Sequence, residues 1–353
     1  MITLARGNLL EADAEALVNT VNCVGYMGKG IALQFKQAFP DNFATYQKAC
    51  RAGEVRPGVM LVVPTGSMAG PKYIINFPTK RHWRGKSRIE DIESGLEALA
   101  REVHERGIAS IAVPPLGCGL GGLGWNEVRP RIEHHLGALL GVDVLLFEPQ
   151  GAPDAWAMPV GTKRPQLTVA RALFLRLMDQ YAGQAYRLTL LEMQKLAYFL
   201  QEAGEPLRLR FEKGHFGPYA HNLNKVLELL EGHFIRGYGD SQRPDVELEI
   251  LPGAADEARA FLERHPDAAT RADRVERLIE GFETPYGMEL LASLHWVASR
   301  ATPPLLIEDA AREAMLRWND RKRAMFRPEH IHVAWERLEG EGLVAAPKSD
   351  RAQ

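Results

Sequence analysis

Five glycines fall within residues 117–124, in the run Pro114-Pro115-Leu116-Gly117-Cys118-Gly119-Leu120-Gly121-Gly122-Leu123-Gly124-Trp125, which leaves the apolar segment Ile111-Ala112-Val113 directly. A chain that gives up side chains this often, between a buried strand and a helix, brings backbone N–H groups close to a ligand, and phosphate is the guest they favour. A tight turn needs one or two glycines; five point to binding. A second run, Asn19-Thr20-Val21-Asn22-Cys23-Val24-Gly25-Tyr26-Met27-Gly28-Lys29-Gly30-Ile31-Ala32, also passes from an apolar strand to a helix through glycines. Gly28 and Gly30 are suited to offer backbone donors to a diphosphate or ribose. Asn22 carries a donor and an acceptor suited to a sugar hydroxyl, against the local alternative of an Asx-type turn; the pairing with the second glycine-rich loop favours the sugar. A third run joins the cations Lys80, Arg81, Arg84, Lys86 and Arg88 to the stacking surfaces of His82 and Trp83. That pairing suits single-stranded nucleic acid, and its bland alternative is a solvated charged loop.

These loops need a scaffold, and the hydrophobic pattern supplies one. Short apolar strands are predicted over residues 2–5, 16–21, 59–63, 73–77, 111–113 and 142–147, alternating with helices over 30–39, 41–51, 88–106 and 126–140. This is an α/β layered domain over residues 1–150, with its ligand over the strand ends, where the three loops converge. Periodicity then vanishes into a proline- and glycine-rich linker over 151–166. Residues 167–353 read as mainly helical, with helices over 169–181, 190–203, 220–230, 255–263, 271–282, 288–299, 307–317 and 330–341.

Residues 1–150 resemble a macrodomain, a fold that binds ADP-ribose. The likeness is carried by Gly7-Asn8-Leu9-Leu10 after the first strand, by the 19–32 run and by the 117–121 loop. Met27-Gly28-Lys29-Gly30-Ile31-Ala32, Thr79-Lys80 and Gly117-Cys118-Gly119-Leu120 resemble the branch of terminal ADP-ribose glycohydrolases, which includes antitoxins of the DarG type that remove ADP-ribose from thymine bases modified by a DarT toxin. The resemblance implies an α/β/α fold. It places Asn8 and its neighbour Leu9 near the adenine, Gly117, Cys118, Gly119, Leu120 and Gly121 on the diphosphate, and Asn22 at the distal ribose, with Gly28, Gly30, Ile31 and Thr79 completing the ADP-ribose site. It gives Lys80, with Asn22, the catalytic part.

Breaking the bond between a base and ribose C1″ passes through an oxocarbenium-like state, which a site stabilises or traps covalently. In the resembled branch a lysine at the place of Lys80 attacks C1″ with help from an aspartate. Here Gly121 stands where that aspartate would be. Either the cationic neighbourhood lowers the Lys80 pKa enough to free its amine, or Lys80 stays charged as an electrostatic clamp; both roles are open. The adjoining Arg81, His82, Trp83, Arg84 and Lys86 would then track the DNA strand.

In the second half, Leu191 to Leu200 followed by Phe211-Glu212-Lys213-Gly214-His215-Phe216-Gly217-Pro218-Tyr219 resembles the Panacea-like helical domain of several antitoxins, which implies binding of a DarT-like toxin. From residue 240 to 289 acidic residues outnumber basic ones, among them Asp245, Asp256, Asp273 and Glu276. Such a face can imitate a phosphate line, although nearby Arg259, Arg271 and Arg277 favour ordinary surface pairing, so toxin binding attaches to the whole domain rather than to named carboxylates. A DNA-binding tail after Arg317, Arg321, Lys322, Arg323 and Arg327 is a lesser alternative.

A net charge of −2 over 353 residues gives no global basic field, so contact with nucleic acid is local or enzymatic. The three cysteines, Cys23, Cys50 and Cys118, lack CxxC spacing, and His134-His135 and His330/His332 lack the one-face spacing of a helical metal pair. No metal, cofactor or membrane span is expected, and the cysteine usage together with the lack of a leading secretory signal suits the cytoplasm. The expected function is hydrolysis of ADP-ribose from thymine-modified single-stranded DNA with toxin neutralisation. A non-catalytic ADP-ribose reader and a hydrolase acting on protein are the alternatives.

Overall fold

The computed structural model describes residues 1–67, 70–149, 158–183, 187–239 and 247–344. The expected linker falls partly on residues 150–157, and Asp245 on 240–246, outside the described residues. The chain divides into two units, Met1–Arg164 with Gly239–Gln242, and Pro165–Tyr238 with Arg243–Gln353. No described helix is long and apolar enough to cross a membrane.

The first unit runs β1 (Ile2–Ala5), β2 (Ala16–Asn22), α1 (Gly30–Ala38), α2 (Pro40–Arg51), β3 (Leu61–Pro64), β4 (Tyr73–Lys80), α3 (Ile89–Glu105), β5 (Ser110–Val113), α4 (Trp125–Gly137) and β6 (Asp143–Phe147). Its six strands form one sheet in the order β1-β6-β5-β2-β4-β3, parallel throughout except for the antiparallel β3 at the edge. β2 is buried on both faces, as a central parallel strand between helical layers must be, hence its run Ala16-Leu17-Val18. On one face α3 and α4 pack Ile92, Leu96, Leu99, Val128 and Ile132 against Val18, Ile75 and Phe77; a separate cluster joins Leu9, Leu17, Phe35 and Ile74. Because β2 lies between β4 and β5 and all three run the same way, their three exit loops open at one edge of the sheet. That is where an open α/β sheet takes its ligand.

The expected α/β/α macrodomain architecture is therefore present, with one boundary moved at the site. β4 continues through Lys80 rather than ending at Phe77, because Lys80 pairs with Asn22 after a register shift between Val21 and Asn22. α3 is set against β4 by Gly95, where a Cβ would stand 2.2 Å from the Phe77 ring. Gly95→Ala is expected to lower stability by about 1–3 kcal/mol, the usual cost of overpacking, seen as a reduced midpoint in thermal unfolding.

The second unit contains α5 (Val169–Ala182), α6 (Leu190–Glu202), the hairpin β7 (Phe211–Gly214) and β8 (Gly217–Ala220), α7 (Leu223–Leu230), the short pair β9 (Ile235–Arg236) and β10 (Glu249–Ile250), and α8 (Ala254–Leu262) through α9 (Pro266–Ile279), α10 (Pro285–Arg300), α11 (Glu308–Leu316), α12 (Asp320–Met325) and α13 (Pro328–Gly340). The mainly helical expectation holds, but a helix starting at residue 220 does not. Ala220 ends a strand, since the buried Gln194 carboxamide takes both its N–H (2.8 Å) and its carbonyl (3.2 Å). Lys195 of α6 donates to the Pro218 carbonyl at 3.0 Å, and burial pushes its ammonium down to about 7. Part of the basic run considered as a DNA tail is used inside this unit: Lys322 is wholly buried against Glu289 and Ser293, and Arg321 pairs with Glu289 at 2.6 Å, while Arg317, Arg323 and Arg327 are exposed. Several carboxylates of the acidic stretch are likewise ties: Asp273 and Glu276 grip Arg176, and Asp256 pairs with Arg259 at 2.5 Å.

Candidate active site

Lys80 is the last residue of β4, so its side chain leaves the sheet edge beside β2. Its Nζ donates to the carbonyl of Leu120, in the glycine loop after β5, at 2.5 Å. One hydrogen bond thus joins the strand that carries the amine to the loop expected to hold phosphate. Burial, and then the nearby Lys86 ammonium, hold the Lys80 pKa below the usual lysine value. The expected cationic neighbourhood is narrower than the sequence implied. Arg81 gives its guanidinium to the buried Asp91 of α3 in a two-pronged pair at 3.0 and 3.2 Å, so it anchors the loop instead of offering a free charge to a DNA strand.

The glycine loop is built on close approaches. Gly117 has φ +70, and a Cβ on it would lie 3.0 Å from Leu123 and 3.1 Å from Ser87. At Gly121 a Cβ would stand 2.2 Å from both the Gly117 carbonyl and the Ser87 hydroxyl oxygen. No side chain fits there, which accounts physically for the missing aspartate. Gly119 is exposed at the loop tip and Leu120 half-buried. The Cys118 thiol turns back to the Leu116 carbonyl, and burial raises its pKa to about 11, so its side chain is not a reactive group.

The loop after β2 differs from expectation at Asn22. Its carboxamide is used locally: Oδ1 accepts from the Val24 N–H at 3.0 Å and the Tyr26 N–H at 3.4 Å, and Nδ2 donates to the Tyr26 carbonyl. Tyr46 adds its hydroxyl to Oδ1 at 3.2 Å and to the Asn22 carbonyl at 2.6 Å. The Asx-type turn is thus the arrangement adopted, and Asn22 shapes the loop rather than presenting itself to a sugar. Gly28 is covered by the Tyr26 ring, which lies 2.4 Å from where its Cβ would be. Gly30 sits at φ +59 and spends its N–H on the carbonyl of Gly239, which belongs to the same unit, at 2.7 Å. Ile31 is half-buried beside it, and Thr79 is buried under the site.

Asn8 caps a short 3-10 turn, Leu9–Glu11, by accepting from the Leu10 N–H at 3.1 Å, and its Nδ2 is buried without a hydrogen-bond partner. An orphaned buried donor is costly, so this is a natural place for a ligand acceptor. Leu9 does not share that role through its side chain: it is 4% exposed and packs with Phe35.

Sequence reasoning missed three contributors. Tyr26 meets Trp83 with ring centroids 5.4 Å apart, and Trp83 also stacks with His82 at 5.5 Å and lies under Arg84 at 4.5 Å, forming an aromatic and cationic ledge that joins the loops after β2 and β4. Asn19 and Asn76, opposite each other in the β2–β4 register, share a 3.0 Å hydrogen bond, and Asn42 joins them at 2.7 and 3.2 Å. Their signal was present, as an asparagine in the middle of each of two apolar strands. Ser87 is the third; it carries no sequence signal at all.

A macro domain family model matches residues 18–132. The chain is 50% identical to the DNA ADP-ribosyl glycohydrolase of Thermus aquaticus over 96% of this chain and 93% of that protein. It is 36% identical to a DNA ADP-ribosyl transferase–DNA ADP-ribosyl glycohydrolase fusion protein of Thermosipho africanus, over 45% of each. Among solved structures, the macrodomain of Mycobacterium tuberculosis DarG is 56% identical, covering 42% of this chain and 99% of that one, with a TM-score of 0.42.

Proposed function

The chain belongs to the family of DNA ADP-ribosyl glycohydrolases, and from that premise we propose that its first unit hydrolyses ADP-ribose from modified thymine in single-stranded DNA while its helical unit binds the toxin that installs the modification. The observation that carries the enzymatic reading is the 2.5 Å contact between the Lys80 amine and the glycine loop at the shared edge of β2, β4 and β5. With the diphosphate on the 117–121 loop and Gly28, the distal ribose reaches the end of β4, and C1″ faces Nζ. The adenine falls to the unpartnered Nδ2 of the Asn8 carboxamide.

The lowered Lys80 pKa favours the attacking role over the clamp. The Nζ lone pair forms a bond to C1″ while the bond from C1″ to the base breaks, and the base leaves with the electron pair and takes the proton that the new ammonium sheds. Water then bonds to C1″ as the Nζ–C1″ bond breaks and gives a proton to Nζ, so ADP-ribose leaves and the amine is restored. Asn22, Tyr46 and the asparagine network hold the loop that shapes this pocket; they do not touch the reacting atoms.

The ledge of Trp83, His82, Arg84 and Tyr26 supports a nucleic-acid substrate, because stacking rings beside cations accept bases and backbone together. Trp83→Ala is expected to raise KM for an ADP-ribosylated oligonucleotide about tenfold, the loss of one stacked base at roughly 1–3 kcal/mol, and to leave affinity for free ADP-ribose unchanged. Calorimetry and steady-state assays on the same protein check both halves. Toxin binding rests on the Thermosipho africanus fusion protein, whose name joins a transferase to a glycohydrolase. The direct test of the whole reading incubates a thymine-ADP-ribosylated oligonucleotide with the chain: release of ADP-ribose supports the hydrolase, tight binding without release supports a reader, and release only from modified protein supports a protein substrate.

A further inference from the structure

The Ser87 hydroxyl is a buried polar atom without a hydrogen-bond partner, 7% exposed as a residue and placed between two glycines of the proposed diphosphate loop. Its surroundings are specific. The Ser87 N–H donates to the Gly121 carbonyl at 3.0 Å, and its Oγ occupies the space a side chain on Gly121 would need. The Gly121 residue held in this way is the next in the chain after Leu120, whose carbonyl accepts the Lys80 ammonium.

We propose that Ser87 is a positioning residue for Lys80: its backbone bond to Gly121 and its side chain wedged between Gly117 and Gly121 fix the Leu120 carbonyl, and with it the place and protonation of the reacting amine. A buried hydroxyl left unpaired is costly to the fold, so stability gives no reason for it to be there. Retaining it makes sense if it serves the loop. The groups that bear on Lys80 are few. Lys86 disfavours its charge, Arg81 is neutralised by Asp91, and the Cys23 thiol, itself held up to about 11 by burial, donates to the Lys80 carbonyl. The Leu120 carbonyl is the acceptor that stabilises the ammonium, and losing its position lowers the Lys80 pKa further.

This inference rests on the reading of Lys80 as the reacting amine, and its decisive measurement needs no substrate. Lys80 is titrated in the full chain by the chemical shift of its Cε, assigned with Lys80→Arg, in wild type, Ser87→Ala and Ser87→Cys. In Ser87→Ala the midpoint moves to lower pH, which by itself frees more of the amine, so the expected fall in kcat on the modified oligonucleotide, about tenfold, comes from the amine losing its place at C1″ and persists at every pH, while the thermal midpoint stays at or above wild type. Ser87→Cys, which keeps a side chain of similar reach, returns both the titration and the rate towards wild type. An unchanged Lys80 titration in Ser87→Ala overturns the proposal, as does a loss of folding that accounts for the loss of rate. If wild type itself releases no ADP-ribose, the hydrolase reading fails while the titration still decides the part played by Ser87.

Discussion

Lys80→Ala is expected to abolish release of ADP-ribose from a modified oligonucleotide, with kcat down by about 10³-fold or more and affinity for ADP-ribose within about threefold of wild type. The asymmetry follows from the geometry. The amine meets the proposed ligand only at its anomeric end, whereas the bulk of the binding falls to the glycine loops and Asn8. The pH profile separates the two roles of Lys80. An attacking amine must be neutral, so the rate rises with pH through the Lys80 pKa, and burial with Lys86 places that inflection below the usual lysine value. A clamp must be charged, so the rate would fall over the same interval. Lys80→Arg sharpens the distinction, since it keeps the charge, cannot supply the lone pair, and is expected to be as inactive as alanine.

The second large effect is expected at Gly121. Restoring the aspartate that resembled enzymes carry looks conservative on paper, yet here a Cβ meets the backbone oxygen of Gly117 and the Ser87 hydroxyl at 2.2 Å each. A backbone oxygen cannot swing aside as the end of a side chain can, so the loop itself must shift. Gly121→Asp is therefore expected to weaken ADP-ribose binding by about 100-fold, which at 1.4 kcal/mol per factor of ten is about 3 kcal/mol, rather than to improve catalysis. Gly28→Ala makes the internal control: its obstacle is the Tyr26 ring, which can rotate away, and binding is expected to change by no more than about tenfold. Equal losses at the two positions, read by calorimetry, would contradict the account of the glycine loop.

Much of the framework was legible because it is written in local patterns. β1, α1 and the two glycine loops announce themselves through apolar runs ended by residues that favour turns, and the parallel order places the loops together. What escaped the sequence depends on register and on which partner wins. Asn22 has an acceptor and donors in its own turn, and only the fold of residues 22–26 with Tyr46 alongside decides that they take it. Arg81 read as one of several loop cations, since Asp91 lies ten residues away across the start of a helix. The hairpin β7–β8 was hidden in a segment without strict alternation, and it is held from outside by Gln194 and Lys195. Ser87 shows the limit most plainly: a serine in a charged loop has no periodicity or motif to mark it, and its meaning comes from glycines at positions 117 and 121, far along the chain.

The most direct test of the account is a crystal structure of the Lys80→Ala chain, or of wild type at low temperature, with ADP-ribose bound. The account predicts the diphosphate against the 117–121 loop, Asn8 Nδ2 donating to the adenine, and C1″ at the end of β4, within roughly 3–3.5 Å of Nζ in wild type. Density for the ligand away from that loop, or a wild-type Nζ still bonded to Leu120 with C1″ beyond its reach, would contradict it.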